Sequence, residues 1–190
     1  IIKDEKMEVK PCPPHLKNTV HVSGFSEERL KLKHSGEKAH VIQMLEKQIV
    51  TKHIIEEVPC AEKDGEKYFE SNEEYQKIAV IERHKNTGKM GVGIVKGYGI
   101  RGGAIASSVS HDSHNIIVVG DNDHDMALAV KEMIRTQGGY TLVCNGEIYG
   151  TLPLPVMGLM SDAGYESVNE ALARMIPKAH EMGVKDGFDP

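Results

Sequence analysis

Residues 107 to 125 concentrate the groups most able to do chemistry. Ser107-Ser108-Val109-Ser110-His111-Asp112-Ser113-His114-Asn115 brings two imidazoles, a carboxylate and several hydroxyls together, and Asp121, Asp123, His124 and Asp125 follow closely. An imidazole near neutral pH can donate, accept, shuttle a proton or bind metal. His111 and His114 with a neighbouring carboxylate would supply three ligands to a metal ion. The competing reading is a self-bonded Asx or Ser turn flanked by solvated histidines. Spacing alone leaves both open. His84, in Glu82-Arg83-His84-Lys85, and His124 each fit exposed polar surface equally well.

A second constellation is glycine-rich. Gly97-Tyr98-Gly99-Ile100-Arg101-Gly102, followed by Gly103, matches G-x-G-x-x-G, and Asp121 stands about where a ribose-binding acid would sit. A nucleotide-binding module is therefore one functional reading. It requires a helix after the glycines, with its N-terminus facing pyrophosphate. Only Ala104–Ser110 is available there, and Ile105 and Val109 suit a strand. The alternative is glycines that let the backbone turn tightly or approach a neighbour. The chain has no H-x-H, H-E-x-x-H, G-x-S-x-G or phosphate-loop motif. Pro59-Cys60 is not followed by a second cysteine, so the zinc nucleobase-deaminase signature is absent as well.

The elements that must position these groups can be read from periodicity. His40–Leu45, Ile49–Val58, Lys77–Arg83, Met90–Val95 and Asn115–Val119 are strands by β-branched content. Residues 61–76 form a charged loop or hairpin, and Asn145-Gly146 joins Tyr140–Cys144 to Glu147–Leu152 as a hairpin. Asn122 caps a helix that buries Met126, Ala129, Val130, Met133 and Ile134, and Gly138-Gly139 stops it. Ser167 and Glu170 fit a capping box opening a second helix, which Pro177 kinks or ends. The expected fold is α+β, a mixed and mostly antiparallel sheet packed with two main helices. Residues 1–18 read as a connector arm, and 19–190 as a single domain.

Composition narrows the function classes. The 190 residues, 39% of them hydrophobic, can build a core but not a (β/α)₈ barrel, which needs about 250 residues. A net charge of −5 removes a general electrostatic drive toward nucleic acid or an anionic membrane. No apolar run approaches the eighteen or so residues of a membrane span. Cys12, Cys60 and Cys144 form no CxxC pair, which fits a reducing cytoplasm. The first residue is Ile rather than Met, consistent with a fragment.

The stretch ERHKNTGKMGVGIVKGYGIRGGAIASSVSHDSHNIIVVGDNDHDMALAV, followed by TLPLPVMGLMSD, resembles the C-terminal region of bacterial adenine deaminases. The match runs in order from about Lys77 to Asp162, and PPHLKNTVHV resembles the segment that joins this region to the rest. His124 stands where the resemblance leads one to expect an acidic residue. The resemblance implies a parent that hydrolyses adenine to hypoxanthine and ammonia with a hydroxide on manganese or iron, in a metal-binding barrel upstream. No metal or cofactor is expected on this chain, with His111 and His114 the only alternative ligands. Alone it would be inactive, truncated at its end, and partnered by the barrel of the same polypeptide, with adenine as the parent's substrate. A homo-oligomer is expected, without nucleic acid or membrane. His111, Asp112 and His114 are then accessory catalytic candidates, and Ser113, Asn115, Ser161 and Asp162 substrate-binding candidates. A purely structural role in oligomer assembly is the remaining alternative.

Overall fold

The β-branched runs pair into one eight-stranded sheet. In the computed structural model residues 13–34 and 38–187 are described. Most of the expected arm, Cys12 and the last three residues lie outside them. Within the arm, Pro14–Leu16 makes a short 3-10 turn. The strands are β1 (Ala39–Gln43), β2 (Lys52–Glu56), β3 (Cys60–Lys63), β4 (Glu66–Phe69), β5 (Tyr75–Ile81), β6 (Met90–Lys96), β7 (Gly103–Ser107), β8 (Ile116–Gly120), β9 (Gly139–Cys144) and β10 (Glu147–Pro153). Helix α1 (Asp123–Thr136) lies between β8 and β9, and α2 (Tyr165–Glu181) follows β10. The large sheet runs β10-β9-β7-β8-β5-β6-β1-β2, and β3-β4 form a separate hairpin. Pairing in the large sheet is antiparallel except between β1 and β6. The α+β expectation is met, and residues 61–76 supply the hairpin rather than a loop alone.

Local chemistry explains the ends of the elements. Asn122 accepts the Asp125 amide at 2.8 Å, the N-cap expected of it. At the other end of α1 the left-handed position falls on Gln137 (φ 62) and not on the glycines that follow. The Gln137 side chain bridges back to Val20, accepting its amide at 3.1 Å, and this tertiary bond offsets the missing glycine. Asn145 (φ 51) and Gly146 (φ 82) both take positive φ, as a two-residue hairpin demands. The capping-box reading of α2 does not hold. The helix starts two residues earlier, after Gly164 (φ 89), so Ser167 already lies in its first turn. Pro177 sits inside the helix, which continues to Glu181.

The two faces of the sheet are treated differently. Met126, Ala129, Val130 and Met133 of α1 pack on Ala79, Ile81, Ala104, Ala106, Ile116 and Val118. On the opposite face Met175 and Ala179 of α2, with Met182 just after it, reach Ile105, Leu142 and Leu152, at the β10 end. Beyond α2 that face stays open. Ile78, Val80 and Ile117 are half-buried on it, and Ile42 and Ile55 at the far edge are 41% and 56% exposed. Solvated faces of antiparallel sheets are normally polar, and this one is aliphatic.

Candidate functional site

The strand-turn-strand β7–β8 carries the polar cluster on its turn, residues 108–115. Strand alternation anchors it. Ala106, Ile116 and Val118 are fully buried on the α1 side, while Ser107 and Ile117 face the open side as a cross-strand pair. The turn then rises at the rim of an apolar groove of about 390 Å³. Ile78, Ile105, Ile117 and Tyr140 line its floor, and Ser107, Ser110 and His111 stand at its mouth. His111 and Asp112 are paired with each other and almost fully solvated, and Ser113 is exposed beside them. His114 and Asn115 are half-buried, and the His114 Nδ1 and Asn115 Oδ1 atoms are buried without a protein partner. Buried polar atoms are seldom left so, and they mark positions where a water or ligand atom fits.

The buried face of the turn is held by a residue that the sequence reading passed over. Arg83 is 1% exposed. Its guanidinium donates to the His114 carbonyl at 2.5 Å and to the Met157 carbonyl at 3.1 Å. Burial pulls its pKa below the ordinary guanidinium value. Gly158 (φ 71) lets the backbone come this close, because a Cβ there would lie 2.7 Å from Arg83 Nη1. Ser108, also buried, donates to the Gly158 carbonyl at 2.6 Å and accepts the Gly139 amide at 2.7 Å. Arg83 and Ser108 thus tie the 108–115 turn to the 156–162 loop. A signal existed in the sequence: Arg83 continues the inward alternation of Ala79 and Ile81.

That tie brings the second pair of candidates into the same region. Ser161 is half-buried and Asp162 exposed, at the end of the loop that Arg83 holds. Lys17 pairs with Asp162 and keeps its carboxyl below the usual carboxylate range. The Met157 amide donates to the Leu16 carbonyl at 2.7 Å, so this loop also carries the end of the N-terminal segment. His84 reaches the turn through a 2.9 Å contact between its Nε2 and the Ser113 carbonyl. Glu82 organises the intervening loop by accepting the amides of His84, Lys85 and Thr87 and the Thr87 hydroxyl. Those donors lower its pKa to about 2.

The glycine loop belongs elsewhere. It precedes β7 and so lies at the opposite end of the sheet from the polar turn. Strand β7, not a helix, follows Gly103. Asp121 accepts the Gly102 and Gly103 amides at 2.5 and 3.1 Å, and Gln76 accepts the Gly99 amide at 2.9 Å. A Cβ on Gly99 would lie 2.4 Å from the Gly183 carbonyl oxygen. The Gly99, Gly102 and Gly103 amides are taken by side chains and those of Gly97 and Arg101 by the Glu74 and Met182 carbonyls, and Gly99 packs closely against the chain just after α2. His124, 3.5 Å from Glu27, lies in the first turn of α1, at the other end of β8 from the polar turn.

As a metal centre the turn falls short. The His111 and His114 rings stand edge to face with centroids 6.0 Å apart. Among the described residues no three His, Cys, Asp or Glu side chains converge as a ligand group. The residues present do not fit manganese or iron. What the turn offers is hydrogen-bonding capacity beside an apolar floor.

A family model described as the adenine deaminase C-terminal domain matches residues 48–190. The chain belongs to the adenine deaminase C-terminal domain family. Curated relatives agree. The adenine deaminase of Desulfitobacterium hafniense (strain Y51) is 46% identical over 188 residues, covering 99% of this chain and 32% of that protein. That of Halalkalibacterium halodurans is 43% identical, covering 94% of this chain and 30% of its own length. Adenine deaminase of Clostridium acetobutylicum is 40% identical, covering 100% and 34%. The chain spans about a third of the length of the curated relatives it matches. The matched span contains β5–β8, the polar turn and the 156–162 loop. Among the described residues no helix is long and apolar enough to cross a membrane.

Proposed function

We propose that this domain acts within a longer polypeptide that hydrolyses adenine to hypoxanthine and ammonia. In that reaction a water oxygen bonds to C6 of the purine, the C6–N bond breaks, and ammonia leaves. The domain contributes by docking its open sheet face against the upstream part of the polypeptide, so that the His111–Asn115 turn borders the opening through which adenine enters. Manganese or iron belongs, on this reading, to the upstream barrel.

The observation that carries the proposal is the continuity of the aliphatic face with the polar turn. Ile78 and Ile117 share one groove with Ser107, Ser110 and His111. Burying that face against a partner stabilises the assembly by roughly 25 cal/mol per Å² of apolar surface. The same movement brings the solvated His111–Asp112 pair to the seam. There His111 and Asp112 can hydrogen-bond the purine edge or orient a water, while the Arg83 tie keeps the turn from moving. Ser113, Asn115, Ser161 and Asp162 border the same seam from the turn and the adjoining loop.

The test is kinetic. In a full-length polypeptide carrying this domain, His111→Ala and Asp112→Ala should each lower kcat/KM by about a hundredfold, the usual cost of losing positioning or proton handling. Metal content should not change. Unchanged kcat/KM would remove the turn from the reaction and leave it a structural element of the assembly.

A further inference from the structure

The large sheet ends at β2, an edge that the deaminase reading does not use. The Met44 amide donates to the Lys96 carbonyl at 3.0 Å, so the alternate residues His40 and Ile42 of β1 turn their peptide groups toward β6. Ala39, Val41 and Gln43 turn theirs toward β2, where they meet Glu56, Ile54 and Lys52. The N–H and C=O groups of His53 and Ile55 therefore point off the end of the sheet. An edge of this kind is a template for a further strand. Neither a proline nor a bulge blunts it, and Ile55, Val50 and Ile49 are exposed along it.

We infer that β2 pairs antiparallel with β2 of a second copy of this chain, about a two-fold axis at Ile54. The strand is self-complementary in that register. Ile54 meets Ile54, and Lys52 meets Glu56 in both directions. One step beyond the strand ends, exposed Val50 meets half-buried Val58. His53 and Ile55 of the two copies exchange the edge hydrogen bonds. Moving the axis to His53 or Ile55 would instead set Lys52 or Glu56 against Ile54. Charge favours the same register. Lys96 serves two carboxylates on its own chain, Glu56 at 2.9 Å and Glu74 at 3.1 Å. Lys52 of the second copy supplies the second cation. Because each contact occurs twice, the interface closes as a dimer and leaves no free β2 edge. The joined sheets keep the aliphatic face clear, so this dimer does not depend on the deaminase reading.

The test combines sedimentation equilibrium of the 190-residue chain with cysteine cross-linking. The chain should sediment as a dimer. Lys52→Glu, a change at an exposed side chain, should weaken self-association about tenfold, because two symmetric pairs become like-charged at once. Under mild oxidation Ile54→Cys should give a disulfide-linked dimer well above the level of the unmutated chain. Ile54 bonds to β1, so its self-pair has the closer cross-strand spacing, about 4.5 Å between Cβ atoms, which a disulfide can span. Lys52→Cys and Glu56→Cys should each stay unlinked alone and cross-link when mixed. A monomer would overturn the inference. So would a dimer in which Ile54→Cys does not cross-link above the unmutated chain, since its seam would lie elsewhere.

Discussion

Glu82 shows how one side chain can shape the region around the candidate site. Its carboxylate gathers three amides and a hydroxyl from the His84–Thr87 turn, and His84 in turn touches the Ser113 carbonyl. Because the folded pKa is lowered from 4.5 to about 2, the ionised form belongs to the fold. Its contribution is present above the ordinary carboxylate value and is lost as pH falls toward about 2. A carboxyl-carbon NMR titration should find the Glu82 midpoint near about 2, with the amide resonances of His84, Lys85 and Thr87 moving in step. A midpoint at the ordinary value of 4.5 would mean that those bonds do not persist in solution. At this scale the sequence was partly legible. The His-Asp-Ser-His cluster was visible from residue types and their spacing. The anchoring roles of Arg83 and Ser108 were not, beyond the inward register of Arg83, because their partners Met157 and Gly158 lie more than forty residues away.

Among the elements, those with local signals were the readable ones. Asn145-Gly146 specified a hairpin and formed one, and the apolar spacing of α1 matched Met126, Ala129, Val130 and Met133, which are buried, while Ile134 is only half-buried. Asn122 should matter to α1 in proportion to its cap. Asn122→Ala should destabilise the domain by about 1 kcal/mol in denaturant unfolding, and Asn122→Gly by only a few tenths. Equal stability of the alanine variant would show that the helix start is held by packing instead. The start of α2 was misplaced because Ser-x-x-Glu is a degenerate pattern and Gly164, two residues before Glu166, turns the chain earlier. Beyond that hairpin, strand order was not legible. Nothing local says that β7 lies between β8 and β9, or that β1 joins β6 in parallel, since those neighbours are chosen by non-local packing.

For the molecule as a whole, the informative feature is the contrast between the two sheet faces. One is sealed by α1, and the other is covered by α2 at one end and left aliphatic at the other. The curated relatives are about three times longer than this chain, and a domain within such a polypeptide has a use for such a face. The fold class was readable because helices and strands occur in separate runs with few crossovers. The family was readable through the resemblance, whereas the open face emerged only from the three-dimensional pairing. The central claim is that this face docks so that the 108–115 turn borders the purine. An azidoadenine photoprobe tests it directly. After irradiation of the full-length polypeptide and tryptic digestion, the label should appear on the peptide spanning residues 102–131, which contains the turn. Label confined to peptides outside this domain would contradict the account.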